Sequence, residues 1–155
     1  MAHWNAYTPT NRVILSGGET QEVGEDLKCT STMTYMKPGA LVEKGASDDE
    51  VVIAAGSNMP IGVLGYEKTG ILIRPITIGT AYNVNDRAFI HEGVGLVVYG
   101  WLGTGCTKAV VKGDPAYLDA NGCVKTAGSG TVVGYFVESM TSSGTPKRVK
   151  YKKTV

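Results

Sequence analysis

Charge, histidine and long apolar runs are all scarce in this 155-residue sequence. Only 19% of its residues are charged and 8% are aromatic. It has two histidines, and no second histidine follows His91 four positions later, so the zinc-protease helix motif is absent. The longest apolar stretches, 51–55 and 94–98, are far shorter than the roughly 20 residues that a membrane-spanning helix needs. Composition therefore argues against a membrane helix and against this class of metalloprotease.

Cysteine is rare as well. Cys29, Cys106 and Cys123 are odd in number and lack CxxC spacing, which favours reduced, buried thiols made in a cytoplasm over a disulfide framework. A zinc site made by His91, Cys106 and Cys123 has no support in their spacing. We expect no metal and no cofactor. Residues 1–15 lack a basic stretch followed by an apolar run, so we also expect no secretory signal.

Catalytic motifs are missing from the glycine-rich and acidic segments. The stretches 93–95 and 100–105 give neither GxGxxG between a strand and a helix nor the GxxxxGK[ST] of a phosphate loop. Ser16 and Ser129 adjoin glycines without forming the GxSxG elbow. The acidic run 48–50 lacks the spacing of an EF-hand loop. We therefore expect that the protein is not an enzyme.

Glycine is abundant, at 21 of 155 residues, about 14% and roughly twice average usage. Short apolar or alternating segments recur between turn residues, at 13–15, 30–36, 40–42, 51–53, 60–66, 70–78, 87–90, 94–99, 116–118, 123–125, 131–137 and 148–152. The fold class is therefore all-β: a small β-barrel or sandwich with short strands and an extended N-terminal arm. We expect the arm at 1–12 and a single β-rich domain at 13–155.

Two local patterns sharpen this prediction. Asn121 and Gly122 predict a hairpin turn between neighbouring strands. Elsewhere, an internal echo repeats one spacing, in the segments 55–57 and 61–63, then 127–129 and 133–135, each preceded by a proline-containing turn and a short strand at 38–42 or 115–118. One explanation is a repeated strand whose central glycine lets another backbone approach. Chance similarity in a glycine-rich chain is the alternative.

Charge is unevenly placed along the chain. Five of the 15 basic residues lie in the last nine positions, which leaves 10 basic and 14 acidic residues, a net charge of −4, on residues 1–146. Such a tail suggests an electrostatic contact with nucleic acid, an anionic surface or an acidic neighbouring subunit. The alternation at 148–152 favours a solvated edge strand, protected by its lysines, over a nucleic-acid site.

Aromatic residues give a weaker signal. Tyr99 and Trp101 share strand parity and are expected to project from the same face of one strand. Such a pair is more often part of a core than a stacking platform for bases or sugars. We therefore expect it to be buried.

The second half of the chain resembles a known family. Residues 113–124 (GDPAYLDANGCV), 132–135 (VVGY) and 148–150 (RVK) follow the pattern G-x-x-v-Y-x-d-x-x-G-x-v … x-v-G-x-a … v-x-v, which resembles the ending of capsid cement, or decoration, proteins of tailed viruses. The segments 37–42 and 60–64 are similar to the first half of that family. The likeness covers roughly residues 36–152. The aromatic N-terminus and the acidic loop that follows it have no clear counterpart.

The resemblance implies a bacteriophage virion protein, made in the host cytoplasm and located on the outer capsid surface. Such a protein stabilises an icosahedral capsid by clamping neighbouring major capsid protein subunits, often as a homotrimer, with no membrane contact and no nucleic-acid partner. An N-terminal arm could add a strand to the coat protein. As capsid-contact hypotheses we assign Trp4 and Tyr7 as arm anchors, and Lys150 and Lys152 as electrostatic contacts.

Two other classes remain as alternatives. One is another virion β-protein, such as a tail or fibre component or a glycan-binding module. The other, ranked lower, is a carrier domain of the barrel-sandwich type, because residues 111–114 resemble the strand and turn of biotinyl and lipoyl domains. The modified lysine of such domains sits in a Met-Lys-Met hairpin, whereas Lys37 lies between Met36 and Pro38.

Overall fold

The computed structural model describes residues 13–16, 21–23, 28–29, 33–56, 58–69, 72–74, 79–126, 128, 130–141 and 147–155. These residues form fourteen strands of two to seven residues and two 3-10 turns, and no α-helix is found among them. The expected all-β class with short strands is confirmed. The N-terminal arm at 1–12 lies outside the described residues.

Most predicted strands are present, but those expected at 87–90 and 94–99 begin three residues later, at Ile90 and Val97. The strands of the first half are β1 (Ile14–Ser16), β2 (Gln21–Val23), β3 (Lys28–Cys29), β4 (Leu41–Lys44), β5 (Glu50–Ile53), β6 (Gly62–Leu64), β7 (Glu67–Thr69), β8 (Leu72–Arg74) and β9 (Ile90–Glu92). Those of the second half are β10 (Val97–Leu102), β11 (Pro115–Leu118), β12 (Val124–Lys125), β13 (Val132–Phe136) and β14 (Lys147–Lys153).

Strands β10 to β14 close into a five-stranded barrel. β10 pairs antiparallel with β14 and, through Leu102, parallel with β12. β11 lies between β12 and β13, and β13 pairs with β14, which completes the ring. Each of the five strands therefore has a partner on both sides, and β1 adds a further pairing to β10.

The basic segment at 148–152 is an internal strand of this barrel, so the prediction of an edge strand is wrong. β14 bonds to β10 on one side and to β13 on the other. Val149, Tyr151 and Lys153 are buried, and the residues between them are half-buried. Alternation of apolar and polar residues shows only that one face of a strand is covered. This is true both of an internal strand of a barrel and of an edge strand, so the pattern cannot distinguish them.

A second sheet, in the order β2-β9-β6-β4-β5-β3, repeats the pairings of the barrel. β4 pairs with β5 and β6, and β6 pairs with β9, as β11 pairs with β12 and β13, and β13 pairs with β14. β2 pairs antiparallel with β9, and β3 pairs parallel with β5. In the barrel, β10 by itself makes both of the corresponding pairings, antiparallel with β14 and parallel with β12. We call the six strands of this sheet the first unit and the barrel strands β10 to β14 the second unit.

The duplication extends to individual hydrogen bonds of the turns. In the first unit the N–H of Gly39 donates to the carbonyl of Leu64, and the N–H of Leu64 donates to the carbonyl of Ala40. In the second unit Gly113, Phe136 and Asp114 make the same two hydrogen bonds. The two glycines have φ values of 93° and 94°. By pairing, Pro115 corresponds to Leu41 and not to Pro38, because Leu41 is opposite Val63 as Pro115 is opposite Tyr135. The internal echo therefore reflects a repeated structure.

The central glycines of the echo make the close approach that the sequence suggested. A Cβ on Gly62 would lie 2.7 Å from the carbonyl oxygen of His91, and one on Gly134 would overlap the carbonyl oxygen of Lys152. Both glycines sit between two partner strands of their sheet. Side-chain volume is therefore excluded at the same position of both units.

Each unit has a core, and the two cores meet on one face of the first unit. Val42 and Leu64 belong to the interior of the first unit, whereas Leu41 and Val63, which alternate with them, belong to the core of the barrel. All four are fully buried. The outer face of β4 and β6 therefore packs against the second unit.

Local predictions had mixed outcomes. The hairpin turn is confirmed, since β11 and β12 are antiparallel and Asn121 and Gly122 between them have φ values of 63° and 70°. The strand expected over 30–36 is wrong in its described part, where Met33–Tyr35 is a 3-10 turn. The carbonyl of the buried Met36 accepts a loop hydrogen bond from Tyr82, 2.8 Å long, so tertiary packing overrides the alternating pattern here.

Candidate binding surface

Tyr99, Trp101, Arg148 and Lys150 form what we call the aromatic–basic face, on the outside of the barrel. In the register of β10 and β14, Tyr99 is opposite Lys150 and Trp101 is opposite Arg148. The residues that alternate with the two aromatics on β10 are buried, whereas the aromatics are half-buried. The shared parity of Tyr99 and Trp101 is thus as expected, but their assignment to the core is wrong. A strand with one covered face can carry aromatics on either face, and parity does not say which.

Arg148 organises this face by lying over both rings. Its guanidinium carbon is 4.2 Å from the centroid of Tyr99 and 5.3 Å from that of Trp101. Its Nε donates to the carbonyl of Gly100 at 3.2 Å, and a terminal nitrogen donates to the carbonyl of Tyr99. Burial lowers the pKa of Arg148, and the neighbouring Tyr99 opposes that shift. Guanidinium stays protonated in proteins, so the face carries a fixed positive charge.

The first unit fixes the other end of the face. The indole Nε1 of Trp101 donates to the carbonyl of Pro38 at 2.9 Å. The Nζ of Lys37 lies 5.6 Å from the centroid of the Trp101 ring, so this ring has two cations near it. Cation–π contacts of this kind are worth about 0.5–1 kcal/mol at exposed sites. The tryptophan is therefore held in one orientation by both units.

Lys150 and Lys152, predicted as contact residues, both lie on the outer side of β14. The Nζ of Lys150 is 5.6 Å from the Tyr99 centroid and 3.8 Å from Glu138 Oε2, and its side chain is 40% exposed. Lys152 is half-buried between Val97 and Tyr135 on the neighbouring strands. An exposed ion pair such as that of Lys150 contributes little to stability and leaves the amine available to a partner.

The remaining predicted site residues have different outcomes. Trp4 and Tyr7 lie outside the described residues. Lys153, counted in the basic tail, points into the barrel, where its Nζ donates to the carbonyls of Gly93, at 3.4 Å, and Val155. Burial lowers its pKa. The tail is therefore not one outward patch of five charges.

A pocket of about 200 Å³ adjoins the face, bordered by Tyr35, Lys37, Trp101, Thr104, Asn121 and Cys123. It is smaller than the roughly 300–1,000 Å³ of usual small-molecule sites. Burial, with a smaller contribution from Asp119, raises the pKa of the Cys123 thiol to about 11. That thiol is therefore protonated at neutral pH and is a poor nucleophile.

Metal-binding groups are not assembled in the described part of the chain. No cluster of three or more His, Cys, Asp or Glu side chains suited to a metal occurs there. Cys29, Cys106 and Cys123 are not joined in disulfides, and Cys106 Sγ lies 3.3 Å from Thr126 Oγ1. No helix among the described residues is long and apolar enough to cross a membrane.

Comparisons with known proteins add no family assignment. A scan against protein-family models and a search of curated proteins both find no match for the chain. The geometry thus describes a β-protein whose outer surface presents fixed aromatic rings and cations. Such a surface suits the binding of a macromolecule that carries negative charge.

Sequence reasoning missed Tyr99, Trp101 and Arg148 as members of one surface. The parity of the two aromatics and the alternation of the basic tail were both visible in the sequence. Only the pairing of β10 with β14 places the two patterns side by side. The hydrogen bond from Arg148 to Gly100, for example, joins residues 48 positions apart in the sequence. That pairing is a long-range contact with no local signal.

Proposed function

We propose that this protein is a structural virion protein that binds the outer surface of an icosahedral capsid and stabilises it by clamping neighbouring major capsid protein subunits. The observation that carries the proposal is the aromatic–basic face on the barrel exterior. Trp, Tyr and Arg are the residue types that dominate the energetics of protein interfaces. Here they are fixed by cation–π contacts and by hydrogen bonds to backbone carbonyls.

The segments that resemble the decoration family support this proposal by their position. Residues 113–124 contain β11 and its turn into β12, 132–135 lie in β13, and 148–150 lie in β14. These three segments, which resemble the ending of the family pattern, belong to the second unit, which also carries the aromatic–basic face. The segments 37–42 and 60–64, which resemble its first half, lie at β4 and β6 of the first unit. The ending of the family pattern and the candidate surface therefore lie in the same barrel.

Energetically, such a protein needs only modest contacts in each copy. When several copies are linked, binding of one copy raises the effective concentration of the others at the capsid surface. The predicted homotrimer would therefore hold a capsid lattice more tightly than a single copy does. Arg148 and Lys150 suit an acidic coat surface. Binding should then weaken as salt is raised, because exposed charges are screened.

Undecorated expanded capsids provide the direct test. We expect the purified protein to co-sediment with them and to raise their disruption temperature. Lys150→Gln, which removes one charge from the face, should weaken binding roughly twofold to fivefold, because an exposed charge pair contributes up to about 1 kcal/mol. Lys108→Gln, at an exposed lysine on the loop before Val110, is the matched control and should bind like the natural protein.

Failure of the natural protein to co-sediment, together with an unchanged disruption temperature, would reject the proposed function. Equal binding by Lys150→Gln and Lys108→Gln would reject the aromatic–basic face as the contact surface. Deletion of residues 1–12 tests the arm and its anchors Trp4 and Tyr7. We expect the shortened chain to keep its circular dichroism spectrum and lose capsid binding, and undiminished binding would remove the arm from the proposal.

A further inference from the structure

Equivalent faces of the two units differ in what covers them. In the first unit the outer face of β4 and β6 carries the opposed pair Leu41 and Val63, and both residues are 0% exposed because they pack against the barrel. In the second unit the equivalent pair is Pro115 and Tyr135. Pro115 is exposed and Tyr135 is 38% exposed. A face that is covered in one unit is therefore bare in the other.

The bare face continues beyond this pair. Tyr117 is opposite Val132 on the same two strands, and Val132 is 42% exposed. We call Pro115, Tyr117, Val132 and Tyr135 the exposed strip. Lys152 lies beside Tyr135 on the next strand and supplies a basic rim. Every strand of the barrel is paired on both sides, so a partner would bind this strip by its side chains and not by adding a strand to the ring.

The covering of the first unit shows how such a face is bound. The turn between β11 and β12 takes part in the contact between the two units. Gly122 in that turn donates its N–H to the carbonyl of Ala54 at 2.9 Å. Gly122 also packs so closely on Leu41 that an added Cβ would lie 2.5 Å from the Leu41 carbonyl oxygen. A short turn of the second unit therefore packs on the main chain of β4, beside the Ile53 side chain of the first unit's core.

The first unit has a turn in the equivalent position, between β4 and β5. It contains the exposed residues Asp48 and Asp49. Together with Lys44 and Glu50, which flank it, the turn has one basic and three acidic residues and a net charge of −2. This charge is opposite to that of Lys152 at the rim of the exposed strip. The turn is therefore complementary in charge to the basic rim that Lys152 supplies.

We propose that the exposed strip binds the first unit of a second copy of this chain, head to tail, as the outer face of β4 and β6 packs against the second unit within one copy. The acidic β4–β5 turn of that second copy then meets Lys152. This proposal rests on the proposed function in one respect, because it names the surface by which the copies on a capsid would associate with one another. A contact between two different surfaces closes into a ring when the rotation between copies allows it. Each copy then contributes one strip and one acidic turn.

Self-association in the absence of capsids tests this proposal separately from capsid binding. We expect the natural chain to give a concentration-dependent oligomer in sedimentation velocity. The double variant Val132→Glu/Tyr135→Glu should weaken this association roughly tenfold or more, because it places charge in the centre of an apolar contact. Val94→Glu is the matched control, since Val94 is 72% exposed in the turn before β10. Circular dichroism spectra and melting curves establish that all the variants fold.

Mixing two defective variants tests the head-to-tail geometry. One is Val132→Glu/Tyr135→Glu, which keeps its acidic turn, and the other is Asp48→Lys/Asp49→Lys, which keeps its strip. Each alone should remain monomeric, and the mixture should form a 1:1 dimer through the one intact strip and the one intact turn. A natural chain that stays monomeric at all concentrations, or a folded strip variant that associates like the Val94→Glu control, would overturn the proposal. A mixture that stays monomeric would also overturn it.

Discussion

The first and second units share their strand pairings, but among the described strands only those of the second unit close into a ring. In the second unit β10 is continuous and pairs with both β14 and β12. In the first unit the same two pairings are divided between β2 and β3, which are separated in the chain by residues 24–27. Pairing order thus survives an interruption of one strand, because each pairing depends only on its own local register.

Interior side chains show the second difference. The opposed interior pair is Leu64 and Ile90 in the first unit, and Phe136 and Tyr151 in the second. All four are buried to within 1% of full burial. Hydrophobic size at these positions can change as long as the total volume fills the interior. The backbone arrangement, and with it the two central glycines, is the part that both units keep.

The largest expected effect comes from the central glycine of the second unit. Gly134→Ala should lower the free energy of unfolding by about 3 kcal/mol or more, because the new Cβ overlaps the backbone carbonyl of Lys152 and the strands must move apart. Urea unfolding followed by circular dichroism measures the change.

The first unit supplies the comparison for this change. Gly62→Ala should also destabilise, since its Cβ would lie 2.7 Å from the carbonyl oxygen of His91. Gly79→Ala is the control, because nothing lies within 4 Å of its Cβ position. If Gly134→Ala unfolds at the same urea concentration as Gly79→Ala, the close approach of strands β13 and β14 is not a constraint on the fold.

An intermediate effect separates backbone conformation from contact between the units. Gly39 and Gly113 have the same left-handed φ, but a Cβ on Gly39 would lie 3.1 Å from the carbonyl oxygen of Tyr99, whereas a Cβ on Gly113 meets nothing within 4 Å. Gly113→Ala should therefore cost about 1 kcal/mol, from the φ alone. Gly39→Ala should cost roughly 1 kcal/mol more, and thermal melting of both variants measures the difference. Equal losses would show that the turn at Gly39 does not press on β10.

The smallest expected effect comes from Tyr151, which occupies the position in the second unit that Ile90 occupies in the first. The Tyr151 hydroxyl is buried and makes no hydrogen bond in the structure, so Tyr151→Phe should leave stability unchanged or raise it by up to about 1 kcal/mol at neutral pH. Burial raises the pKa of Tyr151 well above its usual range. The unfolded chain therefore loses this proton first, and the natural protein loses stability as pH rises above about 10.

Unfolding measured between neutral and alkaline pH checks this sign. Tyr151→Phe should show a smaller loss of stability above about pH 10. Some loss should remain, because burial also raises the pKa of Tyr66. A steeper loss in the variant, or a large destabilisation at neutral pH, would mean that the hydroxyl has a stabilising role.

Sequence patterns predicted the elements that depend on a few neighbouring residues. The turn at Asn121 and Gly122 followed from the tolerance of these residue types for left-handed backbone. The strand at 51–53 followed from β-branched residues after a polar turn, and it is present as β5. The close approach at Gly62 and Gly134 was visible as a repeated spacing, although the correspondence of Pro38 with Pro115 was misplaced.

Predictions that depended on the position of a strand within a sheet were wrong for β14 and for the outer face of β10. The alternation at 148–152 could not distinguish an edge from the interior of a ring, since a closed ring is decided by the pairing of β10 with β14. The parity of Tyr99 and Trp101 could not tell the outer face from the core. The candidate contacts Lys150 and Lys152 were found from charge, but their aromatic neighbours and the Lys153 side chain that turns inward were not.

By itself, then, the sequence determined that this protein is built from short strands and glycine turns, because turn chemistry and alternation act over a few residues. Tertiary structure alone decided that the glycine-rich halves are two copies of one arrangement, and that one face is covered in the first copy and bare in the second. It also decided which side of β10 and β14 presents aromatic rings and cations to a partner. These features arise from contacts between residues far apart in the chain, whose partners no local pattern specifies.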